Sequence, residues 1–307
     1  MANRTKTRSI LLWLLAFIIM LASAYYQRRT GPTYPVSGIV KVGGVSVPYY
    51  LLRSHGGAGN QPVLLPITDT TVTGVVVWKR YKSHDQWQEL PLLQKSLSKE
   101  TVKEMTGPSV FVGKHFFPAG KPEQDFLYAE LPHQPPAGKI EYFVKLTRGN
   151  VTAVAPEGHT DVVTRFRGGV PVYVLFPHVL AMFIGMLFGT RVMLAAFAGE
   201  RLVKRTLITL ILLVIGGLIL GPIVQKFAFD AYWTGWPFGE DLTDNKTAVM
   251  VLVWVIAYWR LRKSDDRKNR WFAVAAMAVM MAVYLIPHSM RGSEIDYTKQ
   301  APVAEIR

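Results

Sequence analysis

The feature of this sequence that most constrains its fold is a set of apolar runs long enough to cross a lipid bilayer. The first is residues 10–26, and four more lie in the C-terminal half, at 170–190, 207–224, 248–259 and 271–287. A transmembrane helix needs about 20 consecutive apolar residues, so these runs exclude a single soluble domain. We therefore predict a membrane α-helical bundle with five transmembrane helices.

The basic residues predict how these helices are oriented. Three Lys or Arg precede residue 10, four lie in 191–205 and six in 260–270, whereas 225–246 has two basic and four acidic residues. Because cytoplasmic loops retain Lys and Arg, the N-terminus is predicted inside, with residues 27–169 and the C-terminus extracytoplasmic, which is the periplasmic side in a bacterium. The net charge of +14 follows largely from this topology and favours contact with anionic lipid headgroups.

The N-terminal run has two interpretations that the sequence leaves open. Ala22-Ser23-Ala24 fits the small-residue pattern of a signal-peptide cleavage site, while the run is also long enough for a retained anchor. Either interpretation places the following residues on the outer side. The chain is thus predicted to comprise an anchor (1–26), an extracytoplasmic domain (27–169), a four-helix bundle (170–288) and an extracytoplasmic tail (289–307).

The segment between the first two runs has the pattern of an all-β domain. Turn residues such as Gly43-Gly44 and Gly149-Asn150 separate short alternating apolar stretches. These stretches predict strands at 36–42, 45–53, 71–81, 126–130, 139–148, 152–154 and 162–167, with a helical insertion around 96–105. About seven short strands in roughly 130 residues favour a β-sandwich.

Residues 127–146 resemble the end of a fibronectin type III or immunoglobulin-like module. In the string YAELPHQPPAGKIEYFVKL, a Leu-Pro and Pro-rich corner leads into a strand that carries aromatic residues. The strand containing Trp78 would supply core residues of such a module, whereas residues 82–117 depart from its pattern. The resemblance covers about 20 residues and implies a module for binding or spacing rather than catalysis.

No catalytic motif of a soluble enzyme is present, and we predict that the chain is not an enzyme by itself. The sequence has no GxSxG, HExxH, phosphate-binding loop or dinucleotide fingerprint, and it has no Cys. The 17 basic residues of 27–169 are scattered among 11 acidic ones, which argues against a nucleic-acid partner. The His residues of that segment lack metal-site spacing within one element, so only a site assembled in three dimensions stays open; they are His55, His84, His115, His133 and His159.

Two histidines near the predicted spans are candidate cofactor ligands. His178 and His288 belong to different predicted helices and lie at nearby depths in the outer leaflet. Neutral imidazole is a common axial ligand, so this placement is what a b-type haem, or another metal held between helices, would require. Gly185 and Gly189 continue the face of His178 and suit either a planar ring or close helix packing. The alternative is structural, with His178 bonded to a neighbouring helix and His288 ending its own.

An acidic string before the fourth predicted span is a second candidate site. Glu240, Asp241 and Asp244 lie within five residues, and clustered carboxylates can bind Ca²⁺. Their spacing differs from that of an EF-hand loop. The alternative is that the side chain of Thr243 or Asp244 caps the fourth helix, by accepting hydrogen bonds from the free backbone N–H groups of its first turn.

Together these patterns predict an integral membrane accessory or binding protein. The extracytoplasmic sandwich would engage a partner, and the helical bundle would pack with other membrane subunits or with further copies of the chain. The predicted partners are thus the lipid bilayer and an extracytoplasmic or membrane protein. The alternative is a membrane electron-transfer protein that holds haem b between His178 and His288 near the outer face.

Overall fold

The chain forms two compact units in a computed structural model, which describes residues 2–106, 116–117, 122–158, 161–286, 294–301 and 303. The first unit comprises Met1–Pro32 and Val170–Ser293, and the second comprises Thr33–Gly169 and Glu294–Arg307. We call them the helical unit and the β unit. The N-terminal helix thus belongs with the C-terminal helices, whereas the C-terminal tail belongs with the middle of the chain.

The helical unit consists of long apolar helices. Its elements are α1 (Ala2–Thr30), α3 (Val172–Ala198), α4 (Val203–Leu213), a π-helical segment (Val214–Leu220), α5 (Gly221–Phe229), α6 (Leu242–Lys263) and α7 (Arg267–Leu285), while α2 (Lys99–Thr106) lies in the β unit. Three stretches are long and apolar enough to cross a membrane, namely Lys6–Thr30, Val172–Ala198 and Val203–Phe229. These stretches indicate a membrane protein.

Local signals set the ends of these helices. α3 is followed by Gly199, whose left-handed backbone (φ 74°) turns the chain so that the N–H of Glu200 donates to the Ala195 carbonyl oxygen at the end of the helix (3.0 Å). α6 begins after Asp241 and α7 after Asp266, and each of these carboxylates accepts a backbone N–H of the first turn. Side chains of the chain itself therefore satisfy backbone groups that a helix start would otherwise leave unpaired.

The core of the helical unit forms where α3, α6 and α7 meet. Trp254 of α6 is fully buried and belongs to one cluster with Met186 of α3 and with Met277 and Met280 of α7. Gly189 makes room for this contact, because a Cβ at that position would lie 3.0 Å from the Trp254 ring and 3.2 Å from each methionine sulfur. Close packing of α3 against the other helices thus depends on a small residue.

The β unit contains eleven strands within the described residues. They are β1 (Val36–Val42), β2 (Val45–Leu51), β3 (Ser54–Gly56), β4 (Gln61–Pro66), β5 (Thr73–Arg80), β6 (Gln88–Pro91), β7 (Leu93–Ser98), β8 (Glu123–Leu131), β9 (Lys139–Arg148), β10 (Val151–Ala155) and β11 (Val162–Arg167). β1 and β2 form a two-stranded sheet, β3-β11-β9-β5-β6 form a second sheet in which β10 also pairs with β9, and β4-β8-β7 form a third. The β3–β11 pair is parallel and the other pairs are antiparallel.

One hydrophobic core draws on strands of all three sheets. Val40 of β1, Leu65 of β4, Trp78 of β5, Leu127 of β8 and Tyr142 of β9 are all buried in it. Trp78 lies directly opposite Tyr142 in the β5–β9 register. Because alternate side chains of a strand face one side, these inward residues bind the sheets into a single unit.

The described tail residues, 294–301 and 303, pack on the β unit, and we call them the C-terminal strap. Tyr297 is 2 % exposed, and its hydroxyl donates to Gln134 Oε1 at 2.8 Å. Gly138 leaves room for this ring, because a Cβ there would lie 2.5 Å from the tyrosine hydroxyl. Glu294 forms ion pairs with Lys82 (2.8 Å) and with Lys139. The strap is thus a folded part of the β unit.

The mostly β character of the segment is confirmed, but the sequence missed four of its strands. β4 is buried at all six positions and contains two prolines, so it shows none of the alternation on which strand prediction depends. β3, β6 and β7 are three to six residues long and contain at most two apolar residues each, so they give little strand signal. The predicted helical insertion corresponds to α2.

Candidate functional site

The candidate site is the loop between α5 and α6, residues 230–241, which we call the aromatic loop. Its organising group is the carboxylate of Asp244 in the first turn of α6, a residue that is 6 % exposed. Asp244 Oδ2 accepts hydrogen bonds from the backbone N–H groups of Thr234 (2.6 Å) and Gly235 (3.0 Å) and from Gln225 Nε2 of α5 (3.2 Å). One buried carboxylate thus ties the loop to both helices that flank it.

Further hydrogen bonds fix the rest of the loop. Asn245 Oδ1 accepts from the backbone N–H of Trp236 (2.7 Å), and Trp233 Nε1 donates to the Trp236 carbonyl oxygen (3.1 Å). Asp241 Oδ1 accepts from the N–H of Thr243 (2.7 Å) and so caps α6. Polar groups of the loop therefore have partners inside the helical unit, and its conformation does not depend on a ligand.

The aromatic loop presents large side chains outward. Trp236 is 78 % exposed, Phe238 is 81 % exposed and Tyr232 is 59 % exposed. Aromatic residues are typical of binding hot spots. Because the backbone of this loop is already ordered, its side chains lose little conformational entropy when a partner binds. Exposed Trp and Tyr are also favoured in the headgroup region of a bilayer. Chemically, the loop suits contact with an apolar or aromatic surface.

The three predicted metal ligands all belong to this region. The structure uses Asp241 as a cap and Asp244 as the acceptor of loop amides, while Glu240 is exposed. Within the described part of the chain, no group of three or more His, Asp or Glu side chains is placed to hold a metal ion. Binding of an ion here stays a prediction. The cap predicted at Thr243 or Asp244 is wrong, because the helix begins earlier, directly after Asp241.

His178 follows Pro177 inside α3, and its imidazole contacts the π-helical segment. Nδ1 lies 2.9 Å from the carbonyl oxygen of Gly216. Because a carbonyl can only accept, Nδ1 is assigned the proton and Nε2 is the basic nitrogen. A π-helical turn shifts the backbone pairing and commonly marks functional positions. The hydrogen bond between His178 and a neighbouring helical segment, which the sequence allowed as an alternative, is thus present. In this tautomer Nε2 carries no proton, as a nitrogen that binds a metal also requires.

His288, the second predicted ligand, lies outside the described residues. Ile286, the last described residue before it, accepts a hydrogen bond from Lys246 Nζ of α6 at 3.0 Å. The end of α7 therefore lies beside the first turns of α6. Gly217 of the π-helical segment lies there too, since a Cβ on it would be 2.8 Å from Thr247 Cγ2. The His178 contact and the aromatic loop thus occupy the same end of the helical unit.

The sequence alone does not identify the residues that organise the loop. Gln225, Thr234 and Asn245 carry no motif, and their roles depend on contacts between separate elements. Gly235 is required because a Cβ there would lie 2.6 Å from the Cβ of Asp244. An available signal was the Asp244-Asn245 pair in the first turn of an apolar helix, since such side chains favour bonding to nearby backbone amides.

The β unit brings together two of the histidines that the sequence left open. His55 Nε2 and His133 Nδ1 both contact the carbonyl oxygen of Gly59, at 2.9 and 3.1 Å. Both rings also pack edge-on against Phe166. Burial lowers the pKa of His55, and the nearby charges of His133 and Arg167 lower it further. His115 and His159 lie outside the described residues.

The chain was compared with protein-family models, with curated proteins and with solved structures, and no match was found.

Proposed function

We propose that this protein is an integral membrane accessory protein that crosses the bilayer five times and binds a partner on the extracytoplasmic side. α6 and α7, with 22 and 19 residues, are about 33 and 28 Å long at 1.5 Å per residue, close to the hydrocarbon thickness. They pack along α3 and α4, which belong to the apolar spans. Helices packed side by side with spanning helices are favoured to span with them.

The proposed orientation places the β unit and the strap outside. The strap folds on the β unit, so an even number of crossings must separate residues 169 and 294, as four spans would provide. The basic residues of 191–205 and 260–270 favour the cytoplasmic side for the opposite ends. We further propose an immunoglobulin-like or fibronectin type III-like sandwich for the β unit, supported by the core that its three sheets share.

A fusion experiment tests this topology. A reporter that is active only in the cytoplasm should be inactive after Arg307 and active when inserted at Ser264, in the turn between α6 and α7. Both fusions carry the same reporter. An immunoblot shows that each full-length fusion is expressed, so that an inactive reporter reports its location and not its absence. Strong activity after Arg307 would contradict the five-span orientation.

The observation that carries the binding proposal is the aromatic loop. Its backbone is ordered by Asp244 and Asn245, and yet its largest side chains, Trp236 and Phe238, are about four-fifths exposed. A few exposed aromatic anchors commonly supply most of the affinity of an interface. The loop follows the apolar stretch Val203–Phe229, so a partner embedded in or lying on the membrane can reach it.

Site-specific cross-linking tests partner binding. A photo-reactive amino acid at position 238 should yield a protein adduct in membranes, and Trp236→Ala should reduce its yield at least tenfold, as expected for an anchor worth about 2 kcal/mol. The matched control is position 173, since Tyr173 is 77 % exposed at the start of α3 but lies outside the loop. Lipid adducts alone at position 238 would contradict the proposal.

Electron transfer through haem b is the second candidate function. The observation in its favour is the His178 Nδ1 contact with Gly216, because a hydrogen bond at one ring nitrogen fixes the tautomer in which the other can bind iron. His288 is the proposed second axial ligand. A haem held there would supply one-electron chemistry near the outer face.

An absorption spectrum decides this candidate. Protein purified in mild detergent from haem-replete cells should show a b-type α-band in a dithionite-reduced minus oxidised difference spectrum. The band should be lost in His178→Ala and kept in His84→Ala, whose imidazole is exposed on the β unit. A folded protein without the band would contradict a haem site.

A further inference from the structure

The most unusual side chain of the helical unit is Arg191 of α3. It is fully buried, and its Nη2 donates to Glu200 Oε2 (2.7 Å) and to Ser9 Oγ of α1 (3.4 Å). Its Nε and Nη1 are also buried and have no hydrogen-bond partner among the described residues. Native proteins rarely leave such donors unpaired, because each costs about 1–3 kcal/mol and more when charged. An acceptor from outside the chain is therefore expected here.

The local charge indicates that this acceptor is an anion rather than water. Glu200 is shared, since Arg205 Nη2 also contacts its Oε2, at 3.0 Å. One carboxylate thus faces two guanidinium groups. Residues 191–205 carry four basic and one acidic residue, and Arg8 of α1 donates to the Ala198 carbonyl oxygen at the same end. A water molecule would leave this positive charge uncompensated, whereas an oxyanion would neutralise it.

The position of Arg191 along α3 places it at a membrane surface. The Val172–Ala198 span has 27 residues and is about 40 Å long, which exceeds a hydrocarbon core of about 30 Å. If the excess is shared between both ends, the Arg191 backbone lies about 5 Å inside the hydrocarbon edge. Its side chain is long enough to reach the headgroup level, as interfacial arginines do.

We propose that Arg191 is the centre of an oxyanion site that binds the phosphate of an anionic lipid headgroup between α1 and α4. Ser9 and the Trp13 ring, whose centroid lies 5.6 Å from the Arg191 Cζ, cover the guanidinium, so binding requires these α1 side chains to shift. α1 can move in this way because it packs loosely: only 11 % of its apolar stretch is buried by protein. Arginine forms bidentate contacts with phosphate, which would use the two unpaired donors. This inference rests on the proposed membrane location and not on partner binding.

Thermal unfolding in detergent tests the site. Added dioleoyl phosphatidylglycerol should raise the Tm of the wild-type protein by about 4 °C relative to dioleoyl phosphatidylcholine, because a ligand that binds only the native state stabilises it. Arg191→Gln should lose this difference and bind phosphatidylglycerol at least tenfold more weakly. Arg262→Gln, at an exposed basic position of α6, should keep both. Glu200→Gln should bind the lipid more tightly, since a competing carboxylate is removed.

Two further arms identify the ligand and guard against a folding defect. Millimolar inorganic phosphate that stabilises the wild type, but not Arg191→Gln, would support the oxyanion site and assign it to free phosphate. Should Arg191→Gln fail to fold, native mass spectrometry of the wild type decides, with retained phosphatidylglycerol expected in excess over phosphatidylcholine. Equal effects of the two lipids on the wild type, together with no stabilisation by inorganic phosphate, would overturn the proposal, whatever the outcome of the partner experiment.

Discussion

Replacing Asp244 by alanine should release the aromatic loop and destabilise the helical unit by about 2–4 kcal/mol. The variant leaves the backbone N–H groups of Thr234 and Gly235 without their buried acceptor, whereas Gln225 Nε2 keeps its bond to Thr234 Oγ1 (2.8 Å). Hydrogen bonds to charged groups contribute about 1.5–3 kcal/mol each. Hydrogen exchange of the Thr234 and Gly235 amides should accelerate at least tenfold, together with a lower Tm. The yield of protein adduct from a photo-reactive amino acid at position 238 should fall as well.

The matched control for this variant is Glu240→Ala. Glu240 belongs to the same acidic string but is exposed, so its removal should change stability by no more than about 0.5 kcal/mol. Asp244→Asn should be intermediate, because the amide keeps one acceptor oxygen without the charge. Equal effects of Glu240→Ala and Asp244→Ala would show that the acidic string acts through its total charge and not through loop geometry.

Replacing Arg80 by alanine should detach the C-terminal strap and destabilise the β unit by about 3–4 kcal/mol. Arg80 binds Asp85 through two nitrogens, at 2.7 and 2.8 Å, and donates to Gln300 Oε1 (3.1 Å) and to the Ala301 carbonyl oxygen (2.6 Å). Both members of the pair are buried, so the variant leaves the Asp85 carboxylate unpaired, which is strongly destabilising. Chemical denaturation and exchange of strap amides measure the two effects.

The control for Arg80 is Lys145→Ala. Lys145 pairs with Glu89 at 2.8 Å, but both side chains are about half exposed, so this variant should cost no more than about 0.5 kcal/mol. A loss of stability in Arg80→Ala without faster exchange in the strap would contradict the role given to this pair. The double variant Arg80→Met with Asp85→Leu should recover part of the stability, since no buried charge then remains.

Acid should also detach the strap. Hydrogen bonding to Arg80 lowers the pKa of Asp85 from its ordinary value of 3.8 to about 2. Because the pKa is lower in the folded state, this contribution is present above pH 4 and is lost as the pH falls through about 2. Strap exchange measured between pH 5 and pH 2 should therefore stay slow above pH 4, after correction for intrinsic rates. Release already at pH 5 would point to a different group.

Some features of this protein follow from short-range pattern alone. The apolar stretch Val203–Phe229 is identifiable because length and composition decide membrane insertion. β1 and β9 coincide with predicted strands because one face of each is buried and the residues alternate. β4 was not predicted, because a strand buried on both faces shows no alternation of apolar and polar residues. Only its pairing with β8 identifies it as a strand.

The candidate site divides in the same way. Glu240, Asp241 and Asp244 stood out in the sequence as one cluster, and their residue types show only that carboxylates gather there. Tertiary structure decided that Asp244 faces inward to the amides of Thr234 and Gly235 while Glu240 faces outward. The difference depends on how α5 and α6 pack, which no local spacing encodes.

The sequence by itself therefore determined that the chain has apolar helices of membrane-spanning length and a mostly β segment, because composition and periodicity are local properties. Only the tertiary structure decided which polar groups meet. The hydrogen bonds from His178 to Gly216, from Arg80 to Gln300 and from Arg191 to Ser9 each join residues far apart in the chain. Such contacts arise where burial forces each polar group to find a partner in space.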